Sequence, residues 1–209
     1  MISLMNSIDE WLFLFFNSTC SNRIFDAFFP AITDKYFWVI PAIIAAIVFI
    51  RAEKKKALLV IGLILVTVAI TDPVCCRVLK PLFSRRRPCD PRALVEGGRF
   101  LLGHKRSPSF PSAHAMNIFA QAMLLTLMYP GRWIWFLLFA SAIGFSRIYT
   151  GVHYPLDVLG GALFGILIGF FVFSAFSFIG RTVRLVHSSG RKQENPGKTN
   201  TSHAQDSHS

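Results

Sequence analysis

Acidic residues are scarce in this chain: 11 Asp and Glu stand against 22 Lys and Arg in 209 residues, a formal net charge of +11. Asp72, Asp90 and Glu96 are scattered, and no carboxylate cluster offers a seat for Mg²⁺. Each of the three reads first as a solvated or structural charge. Cysteine is rarer still, with four in all. Cys20, Cys75, Cys76 and Cys89 lack the paired spacing of a metal site, and adjacent Cys75 and Cys76 are poorly placed to bond each other. They read as small packing residues. No Lys or Arg precedes the first apolar run, Trp11 to Phe16, and that run is short. A cleaved secretory signal is therefore not expected.

What is abundant is apolar surface. Hydrophobic residues make up 53% of the chain and 21 are Phe, more than a soluble domain of this size usually carries. They fall into long runs: Tyr36 to Ile50, Ala57 to Ile70, Ala113 to Tyr129, Trp133 to Phe145, and Leu156 to Ile179. These predict an all-α fold, an integral membrane bundle of about five spans. Residues 1–35 are expected to add an interfacial helix or a short sixth span. Residues 36–186 form the membrane-embedded domain. Residues 187–209, rich in Ser, Gly, Lys, Asn, Gln and His, read as a disordered tail without chemistry. Gly160, Gly161, Gly165 and Gly169 in the last run include spacings of four that suit close helix packing.

Strict alternation of five spans puts the turns at 51–56 and 130–132 and the tail on one side. The polar interlude at 74–111 and the stretch 146–157 then share the other side. The basic short turns predict that the first side, tail included, is cytoplasmic. The interlude is more basic still, which conflicts with that rule unless its cations serve an anion site. The basic surplus therefore points to lipid head groups or a phosphorylated substrate. Nucleic acid is not an expected partner, because the runs between basic clusters are too apolar.

Three motifs carry the chemistry. Lys80 and Arg87 are seven apart, a helical return to one face, and Pro88 follows. They read as a phosphate clamp or as cations gripping lipid head groups. Pro111-Ser112-Ala113-His114 opens a span. Ser112 fits an N-cap, and the free N–H groups beyond it favour an anion. His114 would lie about one turn into the membrane helix, where an ionisable group is costly. Ser146-Arg147, His153 and Asp157 lie between two apolar runs, with Pro155 where a helix can begin. A carboxylate beside an imidazole fixes its tautomer. Each motif alone also has an ordinary reading as a boundary cluster of charges.

Together, Lys-x6-Arg-Pro, Pro-Ser-Ala-His and Ser-Arg-x5-His-x3-Asp, in this order and between these spans, resemble the type 2 phosphatidic acid phosphatase superfamily. Ala113 stands where many members carry Gly. The resemblance implies a metal-independent lipid phosphate or diphosphate phosphatase with its site between helix ends at the membrane surface. His153 is then the nucleophile, Asp157 its orienting carboxylate and His114 the acid and base. Lys80, Arg87, Ser112, Ala113, His114 and Arg147 would bind the phosphoryl group. No cofactor is implied. Undecaprenyl diphosphate is the first expected substrate, with phosphatidate, phosphatidylglycerol phosphate and lipid A phosphates as alternatives. The expected location is a bacterial inner or plasma membrane, with the site facing the periplasm or exterior. An anion or lipid transporter is the rival of another class; it would use the cations but not the His–Asp pair.

Overall fold

A computed structural model describes the backbone of residues 2–194 and the side chains of residues 5–181. Among the described residues the chain is helical, without strands. The elements are α1 (Ile2–Leu14), a π-helical extension (Phe15–Thr19), α2 (Arg23–Thr33), α3 (Val39–Pro73), a π-helical stretch (Val74–Leu79), α4 (Lys80–Phe83), α5 (Ala113–Met128), α6 (Trp133–Tyr149) and α7 (Pro155–Glu194). The described residues up to Val172 form one compact unit, and those from Phe173 onwards belong to a second.

Two helical stretches, Val39–Phe83 and Pro155–Arg181, are long and apolar enough to cross a membrane, each containing an 18-residue segment of mean hydropathy 2.4. Helix α5 is apolar but only 16 residues long. Lys54, at φ 33° and ψ −103°, breaks α3 into arms at 39–53 and 55–73. The first arm leaves Val39, Ile40, Ile43, Ile44, Ile47 and Val48 exposed. That apolar face suits lipid far better than water. The second arm runs antiparallel to α5: Thr71 donates to Asn117, the Gln121 amide donates to the Ile64 carbonyl at 3.3 Å, and Lys56 lies 4.7 Å from the Tyr129 ring centre. The Lys54 break and the 129–132 turn thus share one end of the bundle.

Helices α5 and α7 run parallel, because small residues let their backbones approach. A β-carbon at Gly161 would lie 2.6 Å from the Ser112 carbonyl oxygen, and one at Gly165 or Gly169 would collide with the carbonyls of Met116 or Ala120. Both helices therefore begin at the same end, and residues 84–112 and 150–154 meet there.

The N-terminal segment, expected as an interfacial helix or a short sixth span, is packed more deeply than a helix that only lies on a surface would need. Phe13 is fully buried and packs edge-on to Tyr154 at 5.6 Å. Asn17, also fully buried, donates to the carbonyls of Arg99 (2.8 Å) and Tyr149 (2.7 Å). Buried polar groups must be paired, and here the pairing fixes α1 to the interlude. The tail differs too: α7 continues to Glu194 where an irregular chain was expected from 187. Extending an existing helix is far easier than nucleating one, and no proline intervenes before Pro196. Residues 195–209 of the expected tail lie outside the described residues.

Candidate active site

The first cation pair is brought together by a turn rather than by helical period. Helix α4 ends at Phe83, and Ser84 adopts a left-handed conformation (φ 45°) as its C-cap. Beyond it the chain leaves the helix, so Lys80 and Arg87 do not share a helical face as their spacing suggests. Backbone carbonyls of residues 107–108 hold both. Lys80 Nζ donates to Pro108 O at 3.1 Å, and Arg87 Nε donates to Ser107 O at 2.9 Å. Both side chains are buried.

The turn between α6 and α7 supplies His153. Arg87 donates to Val152 O and approaches His153 Nε2, each at 2.9 Å. A guanidinium only donates, so Nε2 must accept, and the ring proton belongs on Nδ1. That nitrogen faces Ser109 Oγ at 3.3 Å and Asp157 Oδ2 at 3.4 Å. Asp157 is held by the start of α7: its Oδ2 accepts the Tyr154 N–H at 2.8 Å, one half of a capping box. Ser109 Oγ donates to the same oxygen. The His–Asp pair thus forms across a helix start rather than along one face, because α7 begins only at Pro155.

Arg147, near the end of α6, is 3% exposed. Its Nη1 donates to Thr33 Oγ1, while its Nε has no partner. Ser112 occupies the N-cap position of α5, but its side chain caps nothing. Its hydroxyl is buried and unpartnered, and its N–H donates to the Asp157 carbonyl at 2.9 Å. Ala113 is the first residue of α5, where the N–H groups lack intrahelical acceptors. His114 is the second, within the first turn rather than a turn deep, and its side chain is exposed.

Burial first, then the positive charges of Arg87, Arg147, Lys80 and His114, push the His153 pKa well below its ordinary value. His153 is therefore a neutral imidazole inside a cationic cluster. Among the described residues, Lys80, Arg87 and Arg147 form no ion pair with a carboxylate. Buried cations normally have one. Nor do three or more His, Cys, Asp or Glu side chains gather there as a metal-ligand set.

A family model described as the PAP2 superfamily matches residues 57–181, well over half of the chain. The chain belongs to the PAP2 superfamily. It is similar to a lipid A 4′-phosphatase of Bacteroides thetaiotaomicron, 34% identical over 172 residues that cover 79% of this chain and 75% of the relative. It is also similar to an undecaprenyl-diphosphatase of Sulfolobus acidocaldarius, 34% identical over 139 residues, 65% of this chain and 62% of that one. The crystal structure of a transmembrane PAP2-type phosphatidylglycerolphosphate phosphatase from Bacillus subtilis superposes with a TM-score of 0.61 at 26% identity, covering 84% of this chain and 88% of the other. This PAP2 protein is thus a membrane enzyme of the phosphatase class.

Three further residues stand around this candidate site: two, Ser109 and Asp9, have no role in the sequence reading, and the third, Arg85, reads there only as an added phosphate-attracting cation or a solvated charge. Ser109 gave no signal beyond its place in a Pro-rich segment. Asp9 offered one, an acid within an apolar helix, blurred by neighbouring Glu10. Arg85 lies in a run of three arginines whose directions only the fold separates: Arg87 faces His153, Arg85 faces Asp157, and Arg86 is exposed.

Proposed function

We propose that this protein hydrolyses the phosphate of a membrane lipid through a phosphohistidine, with His153 as nucleophile. The supporting observation is the unfinished side of the imidazole. Arg87 meets a neutral Nε2, the charges of Lys80 and Arg147 also act on the ring, none of the three cations has a carboxylate, and the Arg147 Nε and the Ser112 hydroxyl are buried without partners. A phosphoryl group supplies the missing charge and acceptors.

In this reading substrate oxygens take over donors from Lys80, Arg87 and Arg147, the Ser112 hydroxyl and the N–H groups at Ala113 and His114. Freed from Arg87, Nε2 attacks phosphorus as the bond to the lipid oxygen breaks. His114 protonates that oxygen. Asp157 and Ser109 hold the Nδ1 proton and stabilise the cationic ring. Water then attacks phosphorus, His114 takes its proton, and the P–N bond breaks to free inorganic phosphate and His153. The exposure of His114 suits a group that meets both a lipid leaving group and water.

A lipid A-type phosphate monoester is the first substrate reading, because the relative sharing three quarters of both chains carries that activity in its name. Undecaprenyl diphosphate is the second, resting on a shorter match. We count five spans, the two arms of α3, α5, α6 and α7, with α1 packed against residues 154–156 and α2 against the end of α6. Turns at 54 and 129–132 then lie on the cytoplasmic side, and the site faces the periplasm or exterior.

Phosphate release is to be measured on lipid A, undecaprenyl diphosphate and phosphatidylglycerol phosphate, with EDTA present, for wild type and His153→Ala. The reading expects metal-independent release by wild type alone. Equal release by both proteins removes His153 from the chemistry. Anion transport without hydrolysis favours the transporter.

A further inference from the structure

Behind the imidazole, on its Nδ1 side, lies a chain of charges that contributes no atom to this reaction. Asp9 belongs to α1, Arg85 to the loop after α4, and Asp157 to the first turn of α7. Arg85 Nη1 donates to Asp157 Oδ1 at 2.9 Å, and Nη2 donates to Asp9 Oδ2 at 2.6 Å. The other Asp9 oxygen accepts the Leu156 N–H at 2.9 Å. Asp9 is 1% exposed and Asp157 fully buried. The guanidinium also sits 4.3 Å from the Tyr154 ring centre.

This geometry has a specific consequence for Asp157. Its Oδ2 faces His153 Nδ1 and accepts from the Tyr154 N–H and the Ser109 hydroxyl, which pin that end; the other oxygen, Oδ1, needs a partner of its own to fix the plane of the carboxylate. Arg85 holds it. Arg85 is fixed in turn by Asp9, and Asp9 by the start of α7, the same helix that carries Asp157. Two buried carboxylates this close would otherwise repel, so the guanidinium between them is the member the others depend on. Only a planar fork reaches both at once, and a lysine ammonium does not.

We propose that Arg85 is a positioning residue for the phosphatase reaction, clamped by Asp9 so that its fork keeps one oxygen of Asp157 facing His153. The inference rests on the His153–Asp157 reading above. It makes α1 part of the enzyme's working site, because Asp9 reaches the pair through Arg85 and completes the support that Tyr154 and Ser109 give to the other oxygen.

The test uses the full chain, purified in detergent, with the lipid phosphate that wild type hydrolyses best. Arg85→Gln is expected to lower kcat about 100-fold, the usual cost of misaligning a reacting group, with little change in KM. Asp9→Asn should lower kcat by about 10- to 100-fold, as loss of an outer-shell partner does. The double variant should be no worse than Arg85→Gln alone, because both break one chain. Added guanidinium should restore turnover to Arg85→Ala where equal ammonium does not, a readout that general destabilisation would not give. Wild-type kcat in Arg85→Gln overturns the proposal, as does a loss confined to KM, which would make Arg85 a substrate-binding cation. If the Arg85 variants do not fold, Asp9→Asn decides: lowered kcat at constant KM supports the clamp, and wild-type kcat overturns it. An inactive wild type overturns the phosphatase reading and the clamp with it. An active wild type beside unchanged variants overturns the clamp alone.

Discussion

The two nitrogens of His153 face opposite kinds of surroundings. On the Nδ1 side every charged group has a partner of opposite sign: Asp157 meets Arg85, Ser109 and the Tyr154 N–H, and Arg85 meets Asp9. On the Nε2 side charge is left over. Lys80, Arg87 and Arg147 are buried cations whose partners are carbonyls, a hydroxyl and, for Arg87, the imidazole itself, with no carboxylate among them. A matched cluster holds a shape, whereas an unmatched one awaits a ligand. The polar groups sit together because only the helix ends can carry them, and the division of labour follows from which charges find partners.

Removing the ring that joins the two sides gives the largest effect. His153→Ala should lower phosphate release by on the order of 10⁴-fold or more, since no group replaces the nucleophile. Single losses on the unmatched side come next. Arg87→Ala and Arg147→Ala should each lower kcat/KM about 10²- to 10³-fold, in the range of a lost transition-state donor. Arg147→Lys should recover only part, because an ammonium keeps the charge but not the fork.

The comparison also predicts a pH response. Burial and the surrounding cations hold the His153 pKa below its ordinary value, so the folded protein binds fewer protons there than the unfolded chain. The stability contribution of neutral His153 is whole above about pH 6.5 and is lost as pH falls below it. The acid limb of kcat/KM should lie below the usual imidazole range. In Arg147→Gln it should move to higher pH, because one opposing cation is gone. An unmoved limb would show that His153 does not titrate in that field. The smallest effect lies outside both sides. In Gly165→Leu the new side chain meets the Met116 carbonyl and parts α5 from α7. Thermal unfolding in detergent should show a loss of about 1–3 kcal/mol.

Much of this site can be read from the chain alone. The three motifs lie between apolar runs, and simple alternation already puts 74–111 beside 146–157. The glycines of α7 announced close helix packing, though not that α5 is the partner. Spacing arguments were less reliable at chain turns. Lys80 and Arg87, like His153 and Asp157, meet because a helix ends or starts between them, and a left-handed Ser84 or an N-terminal proline decides this locally. The contributions of Asp9 and Ser109 were hidden for another reason. Each depends on a contact over 40 or more residues, Ser109 with His153 and Asp9 with Arg85. No local pattern encodes such contacts.

The covalent intermediate tests the account most directly. Wild type and His114→Ala are to be mixed with a lipid phosphate carrying labelled phosphorus, quenched in alkali within milliseconds, and digested. Alkali-stable, acid-labile label is expected on His153, persisting longer in His114→Ala because water is no longer activated. Turnover by the wild type with no labelled protein, or with label on another residue, would contradict it.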